Sequence, residues 1–150
     1  MKVYIDTSVL GGCFDDEFEE WSNKLMEEFK LGLKIAVISD LTLKELEEAP
    51  TKVRKIIEEI PTVYKEYVTL DNEAKVLARN YIEENVATED FLVDAQYIAI
   101  ATVNRIDVLA SWNFKHIVNL LKIRLYNAVN LKSGYPFLEI RSPREVVYEK

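Results

Sequence analysis

The sequence predicts an α/β domain built on a mainly parallel sheet, and three observations carry that prediction. Short apolar runs with strand character alternate with longer stretches of helical periodicity along the whole chain. One run, Ile35-Ala36-Val37-Ile38, is apolar without alternation, the pattern of a strand covered on both faces. The first run ends on an acid: Asp6 is the only charge between Val3 and Phe14, at the point where a strand hands over to a turn or helix. The 150 residues, 49% apolar and 30% charged, suit one domain spanning 1–150 with a real core.

The elements follow in order. Val3 to Ile5 reads as the first strand, and the segment from about Asp15 to Leu31 as a helix carrying Phe18, Trp21, Leu25, Met26 and Phe29, stopped by Gly32. The second strand spans Ile35 to Ile38; Ser39 or Asp40 caps a helix with Leu41, Leu43 and Leu46 that stops near Pro50. Thr51 to Glu59 forms a short helix closed by Pro61, and Tyr67 to Leu70 a short strand. A helix capped by Asp71 follows, then a long one from Glu89 to Asn104 that is apolar almost all round and must be covered on more than one side. Asp107 to Ala110 is the next strand, Phe114 to about Asn130 a helix broken by Gly134-Tyr135-Pro136, and Leu138 to Ile140 the last strand. Ser142 then caps a terminal turn with Val146 and Val147.

Composition excludes several chemistries. Cys13 is the only cysteine, so neither an internal disulfide nor a thiolate zinc site forms within one chain. His116 is the only histidine and lies far from any motif around a serine nucleophile, which disfavours a Ser-His-Asp triad. No apolar stretch approaches the roughly 20 residues of a membrane span, and no basic region followed by a long apolar segment opens the chain, so an intracellular, cytoplasmic protein is expected. The net charge of −7 argues against non-specific adhesion to nucleic acid, yet its distribution is uneven. From Val108 to Leu138 there is no Asp or Glu, while Lys115, Lys122, Arg124 and Lys132 are present. A phosphate-facing region and a solvated helix face explain that stretch equally well.

Hydrolytic chemistry therefore has to run on carboxylates and a metal. In open parallel sheets ligands collect beyond the carboxyl ends of the strands, and three acids fall there. An ionised Asp6 among strand-forming and small residues is expensive to desolvate without a positive or hydrogen-bonding partner. Asp94 is the sole charge from Phe91 to Asn104; Glu89 and Asp90 already supply the helix dipole with negative charge, which leaves Asp94 free for another role. Glu45, flanked by Lys44, Glu47 and Glu48, is explained as well by a solvated helix face as by function. After the fourth strand, Ser111 and Asn113 offer oxygens at the same sheet edge, while Trp112 and Phe114 suit loop packing or base stacking; a polar turn with a helix cap is the plainer explanation. Three acids and an amide in one pocket suit Mg2+ or Mn2+, for which phosphodiester hydrolysis is the natural reaction.

Val3-Tyr4-Ile5-Asp6-Thr7-Ser8, Leu41-Thr42-Leu43-Lys44-Glu45-Leu46, Asp94-Ala95-Gln96-Tyr97-Ile98-Ala99 and Ser111-Trp112-Asn113-Phe114-Lys115-His116 together resemble the PIN-domain ribonucleases, particularly the VapC-like toxins of type II toxin–antitoxin systems. The resemblance spans nearly the whole chain and implies a three-layer α/β/α sandwich. It also implies a catalytic and metal-binding set of Asp6, Glu45 and Asp94. Asn113 matches the region where many members place a fourth acid; an amide there binds metal directly or through water and weighs against a strongly bound second ion. Ser8 is implied as a supporting residue and not a nucleophile, and Lys115 and His116 as phosphate contacts. The implied cofactor is Mg2+ or Mn2+, and the implied partners are an RNA substrate, an antitoxin protein and a second copy of the chain. The alternative is a catalytically degenerate PIN module that binds RNA or protein. A phosphatase or receiver domain modified at Asp6 is disfavoured, because Asp6-Thr7-Ser8-Val9 lacks the second Asp typical of haloacid-dehalogenase phosphatases.

Overall fold

The computed structural model describes residues 1–147. Strands β1 (Lys2–Ile5), β2 (Ile35–Ser39), β3 (Lys65–Val68), β4 (Val108–Ala110) and β5 (Glu139–Arg141) form one sheet in the order β3-β2-β1-β4-β5, with every neighbouring pair parallel. The chain winds outward from β1 to β3, then returns across β1 to place β4 on its other side. The switch point of the sheet thus lies between the carboxyl ends of β1 and β4.

Register sorts the side chains into two cores. Tyr4 pairs with Val37 and Leu109, and these three face one side with Ile140; Val3, Ile5, Ala36, Ile38, Val108 and Ala110 face the other. Helices α5 (Asn72–Glu83), α6 (Leu92–Val103) and α7 (Leu120–Lys132) cover the first face. Helices α1 (Thr7–Gly12), α2 (Glu19–Lys30), α4 (Thr51–Glu58) and α8 (Pro143–Val146) cover the second. The result is the three-layer α/β/α sandwich expected. Helix α3 (Asp40–Leu46) straddles the sheet end, with Leu41 packed against one core and Leu46 buried in the other.

Several boundaries differ from the sequence expectations, each for a local reason. Of the turn or helix expected after Asp6 the chain forms a helix, α1, whose length the sequence does not set because Thr7-Ser8-Val9-Leu10-Gly11-Gly12 has little helical signature beyond its cap. Helix α2 begins at Glu19 and not Asp15, since the Asp15 carboxylate accepts the Glu17 N–H at 2.8 Å and holds a turn ahead of the helix. Strand β3 lies two residues earlier than Tyr67–Leu70; as an edge strand it needs only partial burial and uses Lys65 and Glu66. The stretch from Glu89 opens with a 3-10 turn, Glu89–Phe91, before α6. Helix α7 starts at Leu120, where Asn119 accepts the Lys122 N–H at 3.1 Å; the residues before it form a turn closed by Asn113. Strand β5 runs one residue later than expected.

Helix α6 is covered as its composition requires, but by the chain itself. Ala95 and the run from Tyr97 to Thr102 are all buried, between the sheet and α5. Its apolar surround therefore does not call for a second copy. Polar groups in this layer are paired: the Tyr81 hydroxyl donates to Asn130, whose amide donates to Thr102 Oγ1 at 3.2 Å and to Asn127 Oδ1 at 3.3 Å. Among the described residues no buried side-chain nitrogen or oxygen lacks a hydrogen-bond partner.

The sheet edges are short and charged. On β3, Glu66 pairs with Lys2 at 3.0 Å; on β5, Arg141 pairs with Glu139 at 2.6 Å. Near the switch point, α1 passes close to Trp112, whose indole N–H donates to Ser22 Oγ at 2.8 Å. A Cβ on Gly12 would stand 2.6 Å from that oxygen and 2.7 Å from the indole nitrogen. Gly12→Ala is expected to destabilise the fold by about 1–3 kcal/mol, read as a lower urea midpoint with an unchanged m-value.

Candidate active site

Asp6 follows β1 in an extended conformation and caps α1, its Oδ1 accepting the Val9 N–H at 3.3 Å. It is only 5% exposed, so its remaining lone pairs need partners. Two serines supply them: Ser8 Oγ donates to Oδ1 and Ser111 Oγ to Oδ2, each at 2.6 Å. Both hydroxyls also accept from the loop after β4. The Trp112 N–H reaches Ser8 Oγ and the Asn113 N–H reaches Ser111 Oγ, both at 2.9 Å. The carboxylate thus joins the ends of β1 and β4 across the switch point. Burial pushes its pKa from 3.8 to about 6 against the opposing hydrogen bonds, and Glu45 adds a smaller push in the same direction.

Glu45 projects from α3, which Ser39 starts by accepting the Thr42 N–H at 3.2 Å. Ser39 is itself held by the Tyr4 hydroxyl at 2.6 Å. One oxygen of Glu45 takes two donors, Thr7 Oγ1 at 2.7 Å and the Tyr97 hydroxyl. Tyr97 stands one helical turn after Asp94 on the same face of α6, so α1, α3 and α6 converge on one oxygen. Tyr97 is not among the site residues expected from the sequence; its i+3 spacing from Asp94 is the available signal.

Asp94 lies in the first turn of α6, half-buried, and takes part in no hydrogen bond or ion pair among the described residues. Burial first, and Glu45 second, raise its pKa to about 6. No Lys, Arg or His forms an ion pair with Asp6, Glu45 or Asp94 among the described residues. Beside Glu45, a groove of about 530 Å³ opens between α3 and α6, lined in part by Lys44, Lys75, Val93 and Gln96.

The loop after β4 divides its functions. Ser111 is buried against Asp6, and Trp112 packs into the core, stacked on Phe18 with ring centroids 4.2 Å apart. Asn113 Oδ1 accepts the backbone N–H groups of Lys115 at 3.2 Å and His116 at 3.0 Å. The amide oxygen expected to face a metal therefore closes a turn. Lys115 is exposed, and the His116 ring stacks on Phe91.

Among the described residues no group of three or more His, Cys, Asp or Glu side chains converges closely enough to form a ready-made metal cage. What unites the three acids is electrostatic, since Glu45 raises the pKa of both Asp6 and Asp94. Carboxylate oxygens without neutralising cations, one of them on an unpartnered Asp94, are a donor set that fits a hard divalent ion.

No family model matches the chain, and no curated protein matches it in sequence. Among solved structures it is similar to VapBC2 from Rickettsia felis bound to a DNA fragment from its promoter, with a TM-score of 0.57, 14% identity and coverage of 95% of this chain and 98% of that one. It is similar to Mycobacterium tuberculosis VapC20, a Sarcin-Ricin loop cleaving toxin, at a TM-score of 0.57 and 13% identity over 91% and 98% of the two chains. DNA-bound VapBC from Salmonella typhimurium gives 0.55 and 15% over 95% and 98%. The chain has the fold of these VapC-type PIN domains, as its four sequence segments implied.

The raised carboxyls set a pH dependence. Asp6 and Asp94 hold their protons more tightly folded than unfolded, so between about pH 4 and 6 the folded state carries the extra protons and stability falls as pH rises. Thermal melts in chelator should show Tm falling across that window. Asp94→Asn should flatten the fall and leave the protein about 1 kcal/mol more stable than wild type at pH 7.5, the modest size reflecting partial solvent screening.

Proposed function

We propose that this protein is a divalent-metal-dependent endoribonuclease that hydrolyses RNA phosphodiester bonds and acts in the cytoplasm as the toxin of a toxin–antitoxin pair. The observation that carries this reading is the set of three carboxylates at the carboxyl edge of a parallel sheet, two of them with raised pKa values and none neutralised by a cation among the described residues. Such a set repels substrate phosphate unless a cation intervenes. Asp6, Glu45 and Asp94 are the residues that would hold Mg2+ or Mn2+, which lowers the pKa of water and neutralises charge on a phosphoryl oxygen.

The chain's own groups have distinct parts in this reading. Ser8 and Ser111 orient the Asp6 carboxylate, and Thr7 and Tyr97 fix one oxygen of Glu45 while the other accepts no hydrogen bond among the described residues. Asp94, without a partner among the described residues, is the carboxylate most available to a cation or to a proton in transit. Lys115, exposed beyond Asn113, suits contact with a substrate phosphate. The similar VapBC structures favour an antitoxin protein as partner, and a homodimer is the assembly proposed. No helix among the described residues is long and apolar enough to cross a membrane.

A second reading, a degenerate module that binds RNA or protein without cleaving, is favoured by Asn113, whose amide oxygen is committed to two backbone N–H groups. RNA cleavage by purified protein should require Mg2+ or Mn2+ and drop by roughly 100-fold or more in Asp6→Asn and in Asp94→Asn, with circular dichroism unchanged. Calorimetric titration with Mn2+ should give binding to wild type that Asp94→Asn weakens. Cleavage that persists in chelator would sink the metal reading, and RNA binding without Mn2+ binding or cleavage would establish the degenerate module.

A further inference from the structure

Among the described residues, one aromatic pair joins the loop after β4 to the start of α6, and it has no part in either core. The rings of Phe91 and His116 stack with centroids 3.7 Å apart and planes 27° from parallel, and neither residue belongs to the two hydrophobic clusters. Phe91 remains 37% exposed, and His116 is also partly exposed. The backbone of each residue is fixed. Phe91 closes its 3-10 turn through an N–H to the Thr88 carbonyl at 2.9 Å, and the His116 N–H donates to Asn113 Oδ1 at 3.0 Å. A planar surface is thereby fixed one helical turn before Asp94 and one short turn after Asn113.

From these observations we infer that the Phe91–His116 pair is a stacking platform for one nucleobase of a single-stranded RNA that passes Asp94. The inference rests on the reading of the site as an RNA nuclease and adds to it a subsite for one unpaired base beside Asp94. Stacking needs a base whose face is free, which a duplex does not offer, and it tolerates any base because each has a π-face. The charge on the two sides of the pair differs: Lys115 and Lys122 lie near His116, in a stretch from Val108 to Leu138 without Asp or Glu, whereas Glu89 and Asp90 precede Phe91. The lysines place the attraction for phosphate on the His116 side, and the rings offer the base its stacking surface.

The test is fluorescence anisotropy with Ca2+ in place of Mg2+ or Mn2+, so that a cation screens the carboxylates, using a short labelled single-stranded oligoribonucleotide, its duplex and an abasic ribose-phosphate chain of equal length. His116→Ala and Phe91→Ala should each weaken binding of the single strand by about 5- to 100-fold and leave the abasic chain unaffected. His116→Tyr, which keeps a ring, should bind like wild type, and His116→Lys, which keeps only a charge, should bind like His116→Ala; thermal melts verify that each variant is folded. Tight binding by His116→Lys with weak binding by His116→Tyr would assign a phosphate contact and overturn the platform. So would equal losses on the abasic chain, or wild-type affinity in both alanine variants. If wild type cleaves RNA and His116→Ala does so with unchanged KM, the platform alone falls; if wild type neither binds nor cleaves any RNA, the nuclease reading falls with it.

Discussion

The Asp6 carboxylate, buried and held by two serine hydroxyls, is the constraint on which the site and much of the fold converge. It ends β1, starts α1, and through Ser8 and Ser111 fixes the backbone of the loop that leaves β4. A charge so enclosed costs stability, and the enclosure raises its pKa. The same enclosure aligns the two central strand ends at the switch point, where a parallel sheet leaves room for a ligand. The structural role is thus plain, and the chemical role proposed for Asp6 would fall on the same side chain.

Around that anchor the other two acids are treated differently. Glu45 is immobilised at one oxygen by hydroxyls from α1 and α6, whereas Asp94 has no partner among the described residues. The layers also divide labour. The face with α5, α6 and α7 encloses a hydrogen-bonded network of Tyr81, Asn130, Thr102 and Asn127, which fixes α6 and hence the position of Asp94 and Tyr97. The face with α1 and α2 carries Trp112 and Ser22, which hold the β4 loop from below.

Much of this was readable in the chain. Uninterrupted apolar runs located β1, β2 and β4, because a strand covered on both faces has no polar alternation to blur its limits. Edge strands β3 and β5 were displaced by one or two residues, since half-burial lets Lys65, Glu66 and Arg141 into the pattern. Helix α1 is legible only as the turn or helix after Asp6, because its main signal is the capping acid and its sequence ends in two glycines. Asp94 stood out as a lone charge in an apolar helix. Glu45 did not, because what distinguishes it is contact with Thr7 and Tyr97, remote in sequence and visible only after folding. For Asn113 the plainer expectation, a turn-closing amide, describes what its oxygen does.

The charges on the outer strands have a consequence of their own. A five-stranded parallel sheet has two open borders, each with unpaired peptide groups able to template another chain. Here Lys65 and Glu66 charge β3, Glu66 being tied back across β2 to Lys2 of the central strand, Glu139–Arg141 charges β5, and both border strands are only three or four residues long. Strand-by-strand growth into fibrils would have to bury those ions, so the sequence that sets out the sheet also tells it where to stop.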